Sequence, residues 1–127
     1  MKAFKSIDSA PVAVAAYSPA VQSGKLVFLS GQIAIDPVSN TLVEGGVEAE
    51  CKQVLTNLRA VLKGVDLGPA SVVMTTIFLA DMADYKVVNE LYAEFVNADA
   101  PPARQAVAVK ELPLGALVEI SLIAEAE

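Results

Sequence analysis

The spacing of apolar residues changes along this chain, and each change marks an element. Phe4–Ser6 and Ala20–Ser23 predict short strands separated by a loop around Pro11. Gly24-Lys25 reads as a turn into a longer apolar strand, Leu26–Ala34, which carries the dipeptide Ser30-Gly31. Asp36-Pro37 and Ser39-Asn40 supply turn chemistry, with Asn40 suited to a left-handed backbone. From Val47 to Leu62 the period lengthens. Val47, Cys51, Val54, Leu55, Leu58 and Leu62 share one helical face, and Glu48, Glu50, Lys52, Arg59 and Lys63 take the rest. Gly64 is placed to stop that helix.

Val72–Leu79 is β-branched and apolar at successive positions, as in a central strand covered on both faces. Asp81 or Asp84 can then cap a helix over Tyr85–Asn97 whose stripe is Tyr85, Val88, Tyr92 and Phe95. Arg104–Val109 and Leu117–Ala124 predict two closing strands, with Gly115 in the turn between them. Two helices against one mixed six-stranded sheet make an α+β, two-layer sandwich. The sheet face away from the helices is too apolar for water, so it is the expected place of oligomer contact.

Composition narrows the function. A chain of 127 residues fits one compact domain, taken as residues 1–127, and its 54% hydrophobic content favours burial between subunits. Nine Lys and Arg against fifteen Asp and Glu give a net charge of -6, which disfavours nucleic acid and anionic membranes as partners. The uncharged stretch Leu67–Ala80 is too short and too polar to span a bilayer. Lys2 and Lys5 before Ala10–Ala16 faintly mimic a signal peptide, but Asp8 and Pro11 interrupt it. A lone cysteine, Cys51, permits no intrachain disulfide and suits a reducing compartment, so a cytoplasmic location is expected. There is no histidine. Ser-His and Cys-His dyads and most zinc sites are thereby excluded, leaving Arg, Lys, Glu, Asp, Tyr, Ser and backbone groups for any chemistry.

Two residues stand out among those. Arg104 follows Pro101-Pro102-Ala103 and opens an apolar strand on a face shared with Ala106 and Ala108. A guanidinium beside small side chains can fork onto a ligand carboxylate, or it can close a structural ion pair. The pattern leaves both roles open. Arg59, in the polar sector of the first helix, reads as a solvated surface residue. Glu119 is the one carboxylate inside the last strand, alternating away from Val118 and Ile120. Partial burial would raise its pKa toward neutrality and suit it to proton transfer, whereas a solvent-facing or interface role is the plainer alternative. Tyr17-Ser18-Pro19 and Ser30-Gly31 can supply hydroxyl and N–H donors. Asn89 is polar on a mostly apolar helix, and Cys51 reads as a core thiol.

Taken together, several blocks resemble the RidA (YjgF-type) family in order and spacing. They are Tyr17-Ser18, Phe28-Leu29-Ser30-Gly31-Gln32-Ile33, Gln53 to Leu58, Thr75 to Met82, Pro102-Ala103-Arg104 and Leu112 to Ile120. The resemblance implies a chorismate-mutase-like subunit in a homotrimer, with pockets in the clefts between subunits. It implies hydrolysis of reactive 2-imino acids, such as 2-iminopropanoate and 2-iminobutanoate, to 2-keto acids and ammonia. No cofactor and no metal are implied. In that reading Arg104 binds the substrate carboxylate, Tyr17, Asn89 and Glu119 surround the reacting end, and Ser30 and Gly31 line the cleft. Catalysis would rest on Arg104, Glu119 and Tyr17.

The chain also departs from the family pattern. Ala15-Ala16 replaces a common Gly-Pro, Pro19 stands where Gln is usual, and Gln105-Ala106 replaces Ser-Cys. These changes bear on the pocket rim and on substrate preference, and they exclude cysteine chemistry at position 106. Two other functions fit the same residues: a non-catalytic trimer that binds or senses small 2-keto or amino carboxylates, and an endoribonuclease or translation inhibitor. The acidic charge and scattered basic residues weigh against the latter.

Overall fold

A computed structural model describes residues 1–127. The strands are β1 (Lys2–Phe4), β2 (Ala20–Ser23), β3 (Leu26–Gln32), β4 (Val72–Leu79), β5 (Ala103–Ala108) and β6 (Val118–Glu125), and the helices are α1 (Gly46–Gly64) and α2 (Tyr85–Phe95). They form one six-stranded sheet in the order β1-β2-β3-β6-β4-β5. All neighbours are antiparallel except β4 and β5, which run parallel. That pair needs a crossover, and α2 supplies it. The α+β sandwich expected from the sequence is the one observed.

The core lies between the sheet and the two helices. α1 contributes Cys51, Val54, Leu55, Leu58, Val61 and Leu62, and α2 contributes Val88, Tyr92 and Phe95. They meet Val118, Ile120, Leu122 and Ala124, the alternate positions of β6. Asp81 provides the cap preceding α2, accepting the Ala83 N–H at 2.9 Å within a short 3-10 turn. No helix is long and apolar enough to cross a membrane.

Several boundaries and environments differ from the sequence reading. The first strand is Lys2–Phe4 rather than Phe4–Ser6, and β3 stops at Gln32 rather than Ala34. β5 and β6 are each displaced by one residue, and α2 ends at Phe95 before Asn97. Gly64 is the last helical residue rather than the stop. The left-handed residue is Asp66 (φ 61°), and the Leu67 N–H returns to the Leu62 carbonyl at 2.9 Å. Gly64 is instead required by packing, because a Cβ there would collide with the Ile7 side chain.

Glu50 does not belong to the polar sector. It is buried, and its Oε1 accepts the Leu117 N–H at 2.9 Å. Asn57 is buried too, donating to the Ile35 carbonyl at 2.9 Å and the Ile33 carbonyl at 3.3 Å. Both polar groups sit within the buried stripe and tie loops to α1. Finally, within the single chain β4 is covered on one face only. Met74, Thr76 and Phe78 on its other face are half-buried, and Phe28 and Val107 on neighbouring strands are 41% and 46% exposed. The apolar open face anticipated from the sequence is present in the single chain.

Candidate functional site

The first group of candidate residues gathers around a bulge. Leu29 pairs with Leu122 and Gln32 with Ile120, so Ser30-Gly31 together face Ser121 across β6. An extra residue at this point bends the strand and re-aims its side chains. The Ser30 N–H donates to the Pro19 carbonyl at 3.0 Å, and its hydroxyl donates to the Ser18 carbonyl at 2.6 Å. These bonds fasten the loop carrying Tyr17 to β3. The Ser30 hydroxyl proton is thus already committed, which argues against its use as a nucleophile.

Glu119 points away from the helices, beside Phe78 on β4. A Cβ at Gly31 would lie 2.9 Å from its Oε2, so the carboxylate rests directly against the bulge. Burial raises the Glu119 pKa above the ordinary carboxylate range. Tyr17, Ser30, Gly31 and Glu119 share a hollow of about 530 Å³ whose remaining wall includes Val12 and Leu114. Leu114 takes φ 58° and Gly115 φ 70°, a tight turn that leaves the leucine side chain standing at the rim.

Arg104 belongs to a second hollow, of about 460 Å³, with Asn89, Tyr92, Pro101 and Pro102. Its strand partner is Thr75, which faces α2 and accepts the Tyr92 hydroxyl at 2.8 Å. One terminal nitrogen of Arg104 donates to Asn89 Oδ1 at 2.5 Å and the other to the Tyr85 hydroxyl at 2.6 Å. The guanidinium carbon lies 5.5 Å from the Tyr85 ring centre and 5.4 Å from that of Tyr92. Burial pushes the Tyr92 phenol above its ordinary range, against the opposing effects of the Thr75 bond and the Arg104 charge. No carboxylate pairs with Arg104; the chain's ion pair is Lys52–Glu48, exposed on α1. The structural ion pair left open by the sequence is not what holds this arginine.

One chain therefore brings the expected residues together in two sets, not one. Tyr17, Ser30, Gly31 and Glu119 form the first, and Arg104 with Asn89 the second. Helical spacing places Tyr85 in an apolar stripe and does not reveal its contact with Arg104. Its signal is available, since a tyrosine half-buried on a helix face needs a partner for its hydroxyl. Arg59 is exposed as expected and lies over the Phe95 ring at 5.0 Å. Cys51 is buried in the core, its thiol pushed up to about 11 by burial, and takes no part in either set. Ala106, where the family resemblance leads one to look for cysteine, packs against the core beneath the helices.

Comparison with known proteins gives this geometry a context. Residues 7–126 match the family model described as Endoribonuclease L-PSP. A mouse protein named 2-iminobutanoate/2-iminopropanoate deaminase is 45% identical over 119 residues, covering 94% of this chain and 87% of that protein. Protein DfrA of Myxococcus xanthus is 48% identical over 119 residues, covering 92% and 90%. Among solved structures, RidA from an Antarctic Psychrobacter superposes with a TM-score of 0.91 at 36% identity, covering 98% of this chain and 99% of that one. With nearly its whole length matched in sequence and in fold, the chain belongs to the RidA (YjgF-type) family.

Proposed function

We propose that this protein is a cofactor-independent deaminase that hydrolyses small 2-imino acids, among them 2-iminopropanoate and 2-iminobutanoate, to 2-keto acids and ammonia. The observation that carries the reading is the presence of two complementary groups in one chain: a guanidinium with no carboxylate partner and a half-buried carboxylate beside a glycine. The two lie in separate hollows of one chain, so a second copy is needed to oppose them. The apolar open face of the sheet supports self-association, and the family resemblance makes the assembly a homotrimer in which the Arg104 hollow of one subunit closes over the Glu119 hollow of the next. In this reading the whole chain acts as one domain in the cytoplasm.

The chemistry asks little of the protein. A protonated imine is already electrophilic, so neither metal nor strong nucleophile is required. Arg104 holds the substrate carboxylate through a forked hydrogen bond. Glu119 takes a proton from the attacking water as its oxygen bonds to the imine carbon. The resulting carbinolamine expels ammonia when the same proton passes to nitrogen, and the carbonyl forms as the hydroxyl loses its own proton to solvent. Tyr17 donates its hydroxyl to the developing oxygen, while Ser30, Gly31 and Asn89 line the cleft. Positioning of this kind supplies useful acceleration without covalent catalysis.

The test is release of 2-keto acid from freshly generated 2-iminobutanoate, with wild type compared with Arg104→Ala. Acceleration by wild type, lost in the folded variant, supports the reading. No acceleration by clean protein favours a carboxylate-binding role without turnover. Sedimentation tests the assembly, and a monodisperse monomer removes the composite site. The description of the matching family model favours a second reading, an endoribonuclease. The net charge of -6 opposes it, and genuine RNA binding would weaken steeply with added salt.

A further inference from the structure

We infer that Tyr85 and Asn89 are positioning residues that hold Arg104 with uncharged acceptors, so that its full positive charge is kept for an incoming carboxylate. The inference rests on the deaminase reading for the identity of that carboxylate, but the clamp itself is a matter of geometry. Both terminal nitrogens of Arg104 are anchored, at 2.5 Å to Asn89 and 2.6 Å to Tyr85. Asn89 must present its carbonyl oxygen here, because its amide nitrogen would meet another donor. Each terminal nitrogen retains a second N–H for a ligand. The Tyr85 and Tyr92 rings add cation–π attraction, which favours the charged guanidinium without cancelling it.

A protein that needed Arg104 only for stability would do at least as well with a carboxylate at position 89. Aspartate is nearly the shape of asparagine and would meet the guanidinium at the same place. It would also compete with every carboxylate ligand, at the high effective concentration of a group on the same chain. Asparagine keeps the hydrogen bond and avoids the competition. Tyr85 does the same from one turn earlier on α2, and its hydroxyl is the only polar atom that its ring carries to the site.

The experiment measures calorimetric binding of 2-ketobutanoate, alongside hydrolysis of 2-iminobutanoate, for wild type, Asn89→Asp and Tyr85→Phe. Asn89→Asp should bind the keto acid at least about tenfold more weakly, with the loss carried by KM, and should melt no lower than wild type. Tyr85→Phe, which keeps the ring, should weaken binding by about threefold or more. If Asn89→Asp fails to fold, the Tyr85→Phe result decides. Wild-type affinity in the folded variants overturns the clamp while leaving the deaminase reading intact. Wild type that binds 2-ketobutanoate but hydrolyses nothing removes the deaminase reading, and the variants still decide the clamp. Wild type that binds no keto acid overturns the clamp as a carboxylate device.

Discussion

The Cα of Gly31 and the carboxylate of Glu119 occupy space that a methyl group would have to share: a Cβ at Gly31 would lie 2.9 Å from Glu119 Oε2 and 3.0 Å from Cδ. The bulge at Ser30-Gly31 brings the β3 backbone over β6, and only the missing side chain lets the glutamate lie there. Gly31 is not in the left-handed region, so the backbone itself would accept alanine. The requirement comes from the carboxylate.

Gly31→Ala should therefore fold but work poorly. Pushing Glu119 off the bulge is expected to lower kcat, by up to roughly 100-fold where the misplacement reaches about an ångström. Steady-state kinetics beside a melting curve check this. Near-normal kcat in a folded Gly31→Ala protein would remove Glu119's present position from the mechanism.

Glu119 should also leave a signature in pH. Its folded-state pKa is raised by burial, so its favourable contribution to stability is present below the ordinary glutamate range and lost as pH rises through the raised value. Glu119→Gln should consequently melt above wild type at pH 8, with the difference shrinking toward pH 4. Wild-type turnover should show an acid limb centred above the ordinary carboxylate range, and the variant should lose it together with most activity. Melting curves and rate profiles over that interval provide the check; a pH-independent difference in melting would contradict the assigned burial effect.

Glu50 offers a test of the interior. Glu50→Ala leaves the Leu117 N–H without its acceptor and should cost about 1–3 kcal/mol. Glu50→Gln keeps an acceptor oxygen and should cost less. Chemical denaturation of both variants measures the difference. Equal losses would show that the hydrogen bond contributes little beyond packing.

Gly64→Ala inverts a familiar rule. Alanine in a helix usually stabilises relative to glycine by up to about 1 kcal/mol. Here the new methyl meets Ile7, and overpacking of that kind costs about 1–3 kcal/mol, so the variant should be less stable than wild type. Adding Ile7→Ala should recover part of the loss. A stabilised Gly64→Ala single variant would mean that the N-terminal loop yields freely.

How much of this was legible in the sequence depended on whether the cause was local. The stripe Val47–Leu62 and the alternation of β6 were readable because one face of each is buried and the other is not. Arg104 and Glu119 were readable as charges interrupting apolar strands. Glu50 and Asn57 were not. They occupy positions that belong to the buried face, but their partners, the Leu117 N–H that donates to Glu50 and the Ile33 and Ile35 carbonyls that accept from Asn57, lie far along the chain. The helical pattern contains no trace of those loops. Nor did strand alternation foretell the bulge at Ser30-Gly31, which ends the regular pairing sooner than the apolar run Leu26–Ala34 suggests. The role of Gly64 is hidden for a related reason: its neighbour Ile7 is remote in sequence, and a glycine near a helix end resembles a terminator.

The separation of Arg104 from Glu119 into different hollows has a genetic consequence. If each working centre draws its arginine from one subunit and its glutamate from the next, a defect in either residue is not confined to the chain that carries it. Chains bearing Arg104→Ala and chains bearing Glu119→Gln, each silent alone, would assemble around every mixed ring with one intact junction. Random association in equal amounts should restore about a quarter of wild-type activity. Two alleles that are each null would then complement one another within a single cell.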